Sequence, residues 1–494
     1  MVLGLAVLLA LLALVECRKI LPAVASKGAS KSLQTRKKSN NNSLCRIPRI
    51  NRGKIDSNSN IVKKSSNIGP KDEYKKQLWM MQLLMLIYYL NLGALFPYLP
   101  LYYKKLGIDS SVIGFLGSIT PTLTFFVAPL WGALADSTQQ YRAIMLVTFI
   151  SGVIARLGLI VNPDFISKSK HLIWLIFVVS VSAILNAPVK PLMDDAILKI
   201  LVDKSDYGRN RLYGQLGFGI GSCLVGPLLN IDIRWAFYIH ALSAIPTIAL
   251  MMYQPISKKD LNNKRKNTVT TTTKNSKIAT KPTPPTTNIF SSMLKAVLNP
   301  DTSIFFLIVT LIGVSSGIVE NFAYIRIEEV GKGSIGNSLG ICRLVSSIAG
   351  GPMFYLSGSI TKKIGINNVL ALSLLSYFLR FINYALMESP WQAIPAEILR
   401  GLTFGTFWSA ATYYVYSVSP PNLTATMLSL LNGVYAGIGQ SLGALVGGVL
   451  INKYGIRDTF LKCGITDFII IVFYKIYIAF AHRKEKAAAA TNKK

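Results

Sequence analysis

The sequence predicts an all-α membrane protein, with twelve transmembrane helices in two six-helix bundles. Three observations carry that expectation. First, the 494-residue chain is 51% hydrophobic and only 15% charged, with a mean hydropathy of +0.42, which is too little charge for a water-soluble surface. Second, beyond Gln77 the apolar residues fall into runs of about 20, the length a helix needs to cross hydrocarbon. Third, a basic segment divides those runs six and six, and the halves echo each other at an offset of about 220 residues. Ile113-Gly114 answers to Ile335-Gly336, Pro129 to Pro352, and Gly217-Phe218-Gly219 to Gly437-Ile438-Gly439. A shared offset is the mark of parallel repeats about an axis along the membrane normal.

Taken in order, residues 1–17 form a signal-like apolar segment. Its apolar block, 1–15, is shorter than a bilayer span, and Ala23-Val24-Ala25 follows as a weak A-x-A-like site. Residues 18–76 are a basic disordered tail, transit-like in composition. Between Arg18 and Lys71 there are 14 Lys/Arg and a single acid, Asp56. The pair reads either as a bipartite targeting signal or as a leader followed by a basic cytosolic tail. The twelve spans are 77–103, 110–134, 142–161, 171–197, 211–230, 233–253, 301–326, 335–360, 367–387, 391–417, 423–451 and 460–482. They are numbered 1 to 12 below. A helix satisfies its own backbone in lipid, and membrane helices tolerate the Gly and Pro scattered here. Residues 77–253 make the N-terminal bundle and 301–482 the C-terminal one. The linker 254–300 is basic and rich in Thr and Pro, and 483–494 is a basic tail. Lys258, Lys259, Lys264, Arg265 and Lys266 open the linker, whereas the loops 162–170 and 388–390 are short and less basic. The positive-inside rule therefore assigns both termini and the linker to the cytosolic side. The sequon Asn422-Leu-Thr424 then lies on the cytosolic side. Asn41-Asn-Ser43, in the N-terminal tail, tests that placement.

The net charge of +31 is concentrated in tails and linker. Nucleic-acid binding would also need a basic surface, but the apolar runs assign the chain to the membrane. The three His and five Cys are scattered singly, with no metal-ligand spacing. There is no phosphate loop and no nucleophile elbow. ATP-driven pumping, enzymatic activity, a metal and a cofactor are accordingly not expected.

After span 2, Gly132-Ala-Leu-Ala-Asp136 followed by Arg142 resembles the cytosolic gating motif of the major facilitator superfamily. Ser137-Thr-Gln-Gln140 stands where that family carries a basic residue and a Gly. Longer stretches resemble the narrower MFS-1-like group. They are Pro97-Tyr-Leu-Pro-Leu-Tyr-Tyr103, Ala128-Pro-Leu-Trp-Gly-Ala-Leu-Ala-Asp136, Asp203-Lys-Ser-Asp-Tyr-Gly-Arg209 and Leu431-Asn-Gly-Val-Tyr-Ala-Gly-Ile-Gly439. That group includes proteins similar to major facilitator domain-containing protein 6 and, more distantly, sugar–proton symporters of the lactose-permease type. The resemblance covers about residues 78–480 and implies solute transport by alternating access. It also implies Gly132, Asp136 and Arg142 as gating residues.

Ionisable side chains deep in a span are expensive and usually face a partner or a wet cavity. Arg380 lies seven residues before the end of span 9 and Glu397 six after the start of span 10, so both sit about 10 Å below the outer surface. The short 388–390 loop makes these helices antiparallel neighbours. An Arg–carboxylate pair has two readable states, paired or protonated, which suits proton coupling; the alternative is a static pair. On span 10, Glu397, Arg400, Phe404, Trp408 and Thr412 share a face as a cavity wall, or the aromatics only pack between helices. On span 4, Ser182, Asn186, Lys190 and Asp194 form a polar stripe in which Lys190 and Asp194 are spaced to pair. Arg156 in span 3, Tyr88 and Asn91 in span 1, Glu320 in span 7 and Arg343 in span 8 complete the cavity candidates. Arg326, Glu328 and Glu329 read as solvated at the outer end, and His240, Asp467 and Lys475 as structural. The small-residue ridges at Gly217 and Gly221, and at Gly439, Gly443 and Gly447, suit either static close packing or bundles that slide.

The sequence thus predicts a monomeric secondary active transporter of a small polar or ionic organic solute, driven by protons. An uncoupled facilitator and a non-transporting receptor or scaffold are the alternatives. Its partners are that solute, protons and the bilayer, with no nucleic acid. Its membrane is organellar (the plastid envelope included), endomembrane or plasma membrane.

Overall fold

The computed structural model describes residues 70–160, 168–201, 207–253, 297–331, 335–419 and 424–491. The signal-like segment, nearly all of the basic tail, the linker to residue 296 and both sequon asparagines lie outside these. Helix is found at each of the twelve expected positions. Ten of these helical stretches are long and apolar enough to cross a membrane. The exceptions are span 3, a 17-residue helix at Tyr141–Leu157, and span 10, which is segmented.

Several spans bend where the sequence weakens the helix. Span 1 runs as Pro70–Leu95, a 3₁₀ turn at Phe96–Tyr98 and Leu99–Lys105, with Pro97 and Pro100 in the break. Span 4 divides into Lys168–Asn186 and Val189–Ile200 around Pro188. Span 10 is a 3₁₀ turn at Pro390–Ala393, a short helix at Ile394–Ile398, a π-helical turn at Gly401–Thr406 and the helix Phe407–Val418. Span 11 has the same device, with a π-helical Gly433–Gln440 between Thr424–Asn432 and Ser441–Tyr454. Span 12 extends to Thr491, so the residues expected as a tail continue a helix. Spans 8 and 9, and spans 11 and 12, reverse at Gly365 (φ 77°) and Gly455 (φ 78°). A side chain would be strained in that left-handed region.

The glycine ridges seal each half internally. A Cβ on Gly217 or Gly221 would meet the backbone carbonyls of Leu86 and Leu90 in span 1. A Cβ on Gly439 or Gly443 would meet the backbone at Thr310, Gly313 and Val314 in span 7. These are close-packed seams within the halves, and the sliding reading fails for them. The repeat is visible in this: spans 1 and 5 pack as spans 7 and 11 do.

Between the halves, span 2 packs on span 11 and span 5 on span 8, again through small residues. Gly114 abuts Ala444 and Gly448, and Gly226 abuts Gly336 and Gly340. Polar links join the halves at the outer end. Asn452 Nδ2 donates to Ser111 Oγ at 2.8 Å, Gly336 N donates to Asn230 Oδ1 at 2.8 Å, and Lys104 pairs with Glu328 at 3.6 Å. The same outer region carries a continuous apolar core from both halves, including Tyr98, Leu101, Ile113, Phe322 and Leu339. Toward the opposite end, Gly132 and Gly358 have open space where a side chain would sit. The polar and glycine contacts named here between the halves gather at one end, the end that the Lys/Arg bias assigns to the outside.

Candidate functional site

Where spans 1, 7, 8, 9 and 10 meet, five of the predicted residues converge. Glu320 accepts from Arg343 Nη2 at 3.2 Å and from Arg400 Nη1, so one carboxylate joins three helices. Arg343 also stacks over the Phe218 ring of the other half, 4.7 Å from its centroid. Arg380 and Glu397 form the expected pair, Nη2 to Oε1 at 3.8 Å, each 1% exposed. Tyr384 completes it: its hydroxyl donates to Glu397 Oε1 at 2.7 Å and accepts from Arg380 at 3.4 Å. Glu397 Oε2 is buried with no hydrogen-bond partner among the described residues. Glu320, Arg343, Arg380, Glu397 and Arg400, with Pro97, Val319, Ala323 and Tyr324, line a small cavity of about 10 Å³. That is room for about one water and far below the ~300–1,000 Å³ of sites that enclose drug-sized ligands, so cargo entry requires the helices to part.

Local structure places each group. Span 9 ends at Leu386, leaving carbonyls that the helix cannot satisfy. Arg326 donates to three of them, those of Tyr384, Ala385 and Met387, at 3.1 to 3.3 Å. It is buried and also holds Glu329 at 2.7 Å. The reading of Arg326, Glu328 and Glu329 as merely solvated is thus corrected. Sequence reasoning put them near an outer end but missed that a guanidinium there can clamp a helix terminus. Beyond the turn, Gln392 Oε1 accepts from the backbone N–H of Glu388 and Ser389, fixing the entry to span 10. The π turn at Gly401–Thr406 widens the helix just past Arg400. Ser373 donates to the carbonyl of Thr403 there at 3.1 Å, and Arg380 Nη1 donates to the Thr403 hydroxyl at 3.3 Å.

That π turn also shifts the phase of span 10, so the five-residue stripe is not one wall. Glu397 and Arg400 line the cavity, but Trp408 stacks on Phe404 (6.0 Å between centroids) and packs on Tyr435 (5.4 Å). Thr412 donates to the carbonyl of Trp408. Other candidates also lie away from the cavity. Asn91 donates to Ser243 Oγ at 2.9 Å and to the carbonyl of His240, joining span 1 to span 6. Asn186 donates to the carbonyl of Ser182 and covers Gly152 in span 3. Asp194 takes Arg211 of span 5 as its partner, both oxygens within 3.0 Å of Nη1, and the local pairing with Lys190 is replaced. Lys190 is exposed. Arg211 opens span 5 as a cation at the head of an apolar run, and local spacing gives no sign of its pairing with Asp194. Tyr88 and Arg156 are buried in the N-terminal half. In the stretch that resembles a gating motif, Asp136 accepts from the Tyr141 hydroxyl at 2.7 Å, while Arg142 is exposed and not paired with it. His240 is a packing residue, its Nδ1 2.9 Å from the carbonyl of Asn91.

Long apolar helices in two packed halves, with a charged cluster buried in the second, are the architecture of a multi-pass membrane transporter of the major facilitator fold. The chain belongs to the MFS_1 like family, whose profile matches residues 78–462. That membership places it among transporters and not enzymes. Curated relatives include the transporter YwbF of Bacillus subtilis, 25% identical, the match covering 76% of this chain and 87% of that one. The maltose permease of Geobacillus stearothermophilus is 24% identical, covering 75% and 86%. Major facilitator superfamily domain-containing protein 6-like protein B of Xenopus laevis is 24% identical, covering 62% of this chain and 48% of that one. Among solved structures, the nucleoside transporter NupG superposes with a TM-score of 0.64 at 16% identity, covering 81% of this chain and 98% of that chain. A POT family transporter in complex with a thioalcohol-conjugated peptide gives 0.59 at 14% identity, covering 83% and 96%.

Proposed function

We propose that this chain is a secondary active transporter that moves a small polar or ionic organic solute by alternating access, coupled to protons. The observation that carries the reading is the Arg380–Glu397–Tyr384 cluster beside the Glu320 cavity. Glu397 has one oxygen engaged and one, Oε2, free to take a proton. Protonation would release Arg380 toward the cavity, and the Coulomb energy of a low-dielectric pair makes that exchange a strong switch. The mixed charge of the lining favours polar cargo. Relatives and structural neighbours named for maltose, nucleosides and a peptide conjugate are consistent with that class. A second reading, an uncoupled facilitator, draws on the near-complete burial of the same pair, which suits a static tie between spans 9 and 10.

The test is uptake into proteoliposomes under an imposed pH gradient, screened with labelled sugars, nucleosides, small peptides and organic anions. The expected result is solute accumulation driven by the gradient, with the solute in turn moving protons. Equilibration without accumulation favours the facilitator. No flux above empty liposomes for any solute would defeat the transport reading.

A further inference from the structure

Arg156 occupies the last turn of the helix Tyr141–Leu157 and is 5% exposed. Its guanidinium lies over the Phe96 ring, 4.7 Å from the centroid. Among the described residues it has no hydrogen bond and no ion pair, and Nη1 is buried without a partner. Every other buried arginine among the described residues is answered. Arg343 and Arg400 share Glu320, Arg380 holds Glu397, and Arg326 has Glu329 and three carbonyls. Asp194 in the same half is taken by Arg211. The helix terminus offsets part of the cost of the charge, but its nearest carbonyls, those of Ala155 and Arg156, already accept from Gly158 and Leu159. A cation–π contact alone does not satisfy a guanidinium with five donors.

The surroundings of Arg156 are polar and equally incomplete. Tyr88 and His240 lie within its electrostatic reach. His240 Nε2 and Asn91 Oδ1, on spans 6 and 1, are buried without partners as well. Arg156 does not itself line the charged cavity, but Phe96, under its guanidinium, is followed in sequence by Pro97, which does. Orphaned buried polar atoms in a native fold call for a ligand or water, and a fork of donors is shaped for a two-oxygen anion.

We propose that Arg156 receives the anionic group of the cargo, a carboxylate or a phosphate monoester. This rests on the transport reading and adds the charge of the solute to it. Among the described residues Arg156 is a buried cation without a counter-ion, and bound cargo would supply one.

The experiment follows thermal unfolding of the purified full chain in lipid nanodiscs, wild type beside Arg156→Gln. The probes are acetate, succinate, glucose 6-phosphate and inorganic phosphate, with maltose as neutral and chloride as inorganic control. At least one organic anion should raise the wild-type unfolding temperature saturably, with maltose and chloride inactive. The carboxylate and phosphate arms show which group is read. Arg156→Gln should lose that shift, yet without anion unfold at the wild-type temperature or above it, because it removes an uncompensated charge. No shift with any organic anion, an equal shift with chloride, or a shift that survives Arg156→Gln overturns the proposal. So does an anion-free variant that unfolds several degrees lower, which would make Arg156 a structural residue. Parallel uptake separates the two readings. If Arg156→Gln takes up a neutral solute at the wild-type rate and no anion shift exists, the anion inference falls and transport stands. If the wild type moves no solute while the Arg156-dependent shift persists, the anion site stands and transport falls.

Discussion

Glu397→Gln is the sharpest perturbation of the coupling proposal. The substitution is nearly isosteric and leaves an oxygen to accept from the Tyr384 hydroxyl, now 2.7 Å away. It removes the proton site at Oε2, the buried oxygen without a partner. The other cavity carboxylate, Glu320, is held by two guanidiniums, so the coupling proposal assigns one exchangeable proton per cycle, at Glu397. One proton moved down one pH unit is worth about 1.36 kcal/mol, a factor of ten in concentration. Across two pH units, with the membrane potential clamped at zero, the wild type should accumulate solute about 100-fold. Glu397→Gln should stop at a ratio of about one, since no proton travels with the cargo. The assay is gradient-driven uptake in proteoliposomes, paired with exchange of labelled for unlabelled solute at equal pH. Exchange should persist in the variant, because the cavity keeps its shape. Accumulation by Glu397→Gln at the wild-type ratio would refute coupling through this carboxylate. Loss of exchange together with accumulation would refute the claim that only the proton site was removed.

Further outcomes follow from the same geometry. Glu320→Gln leaves Arg343 and Arg400 without an anion. Breaking a buried pair costs about 3–5 kcal/mol, reduced here because the Glu320 side chain is 28% exposed. A loss of roughly 2–3 kcal/mol is expected, read as a lower unfolding temperature; an unchanged or raised temperature contradicts the network. Gly221→Leu drives a side chain into the carbonyl of Leu90 with no rotamer to relieve it. It should cost about 1–3 kcal/mol or more and give poorly folded protein by gel filtration. Gly132→Ala enters open space within a helix and should raise stability by about 0.5–1 kcal/mol, since Ala favours the helix over Gly. In a background without native cysteines, Ser111→Cys with Asn452→Cys replaces a 2.8 Å contact between the halves. Oxidation should cross-link the pair and stop uptake, and reductant should restore it. Full uptake by the cross-linked protein would mean that this contact does not open in the cycle.

The spans were legible because hydrocarbon imposes one solution. Every backbone group must be satisfied within its own segment, so length and hydropathy suffice to locate helices. The repeat was legible for a related reason. Glycines that let backbones touch, as at Gly217 and Gly439, recur wherever the two halves make the same seam. What those glycines face was not legible. A ridge in sequence has the same appearance whether it meets its own half or the other, and only the structure separates Gly221 on Leu90 from Gly226 on Gly336.

The charge cluster shows the same division more sharply. Arg380 and Glu397 could be paired on paper because a three-residue loop fixes the depth of both, and depth is a one-dimensional quantity. Glu320, Arg343 and Arg400 come from three helices far apart in sequence, so their meeting depends on packing that no local spacing encodes. Trp408 left the stripe for a third reason. The π turn at Gly401–Thr406 adds a residue to one helical turn, and all positions beyond it rotate relative to Glu397. The Gly residues that bound this turn permit it, since Gly401 lies on the carbonyl of Ala349 and Gly405 on Phe354 of span 8. The irregularity that hid the aromatics is also what sets Thr403 beside Arg380. A variant that restores a regular helix there should therefore disturb ion pairing before it disturbs the fold. Gly405→Ala, which favours the regular form by about 1 kcal/mol, should lower solute exchange more than it lowers the unfolding temperature. A variant with wild-type exchange would separate the π turn from the placement of the charges.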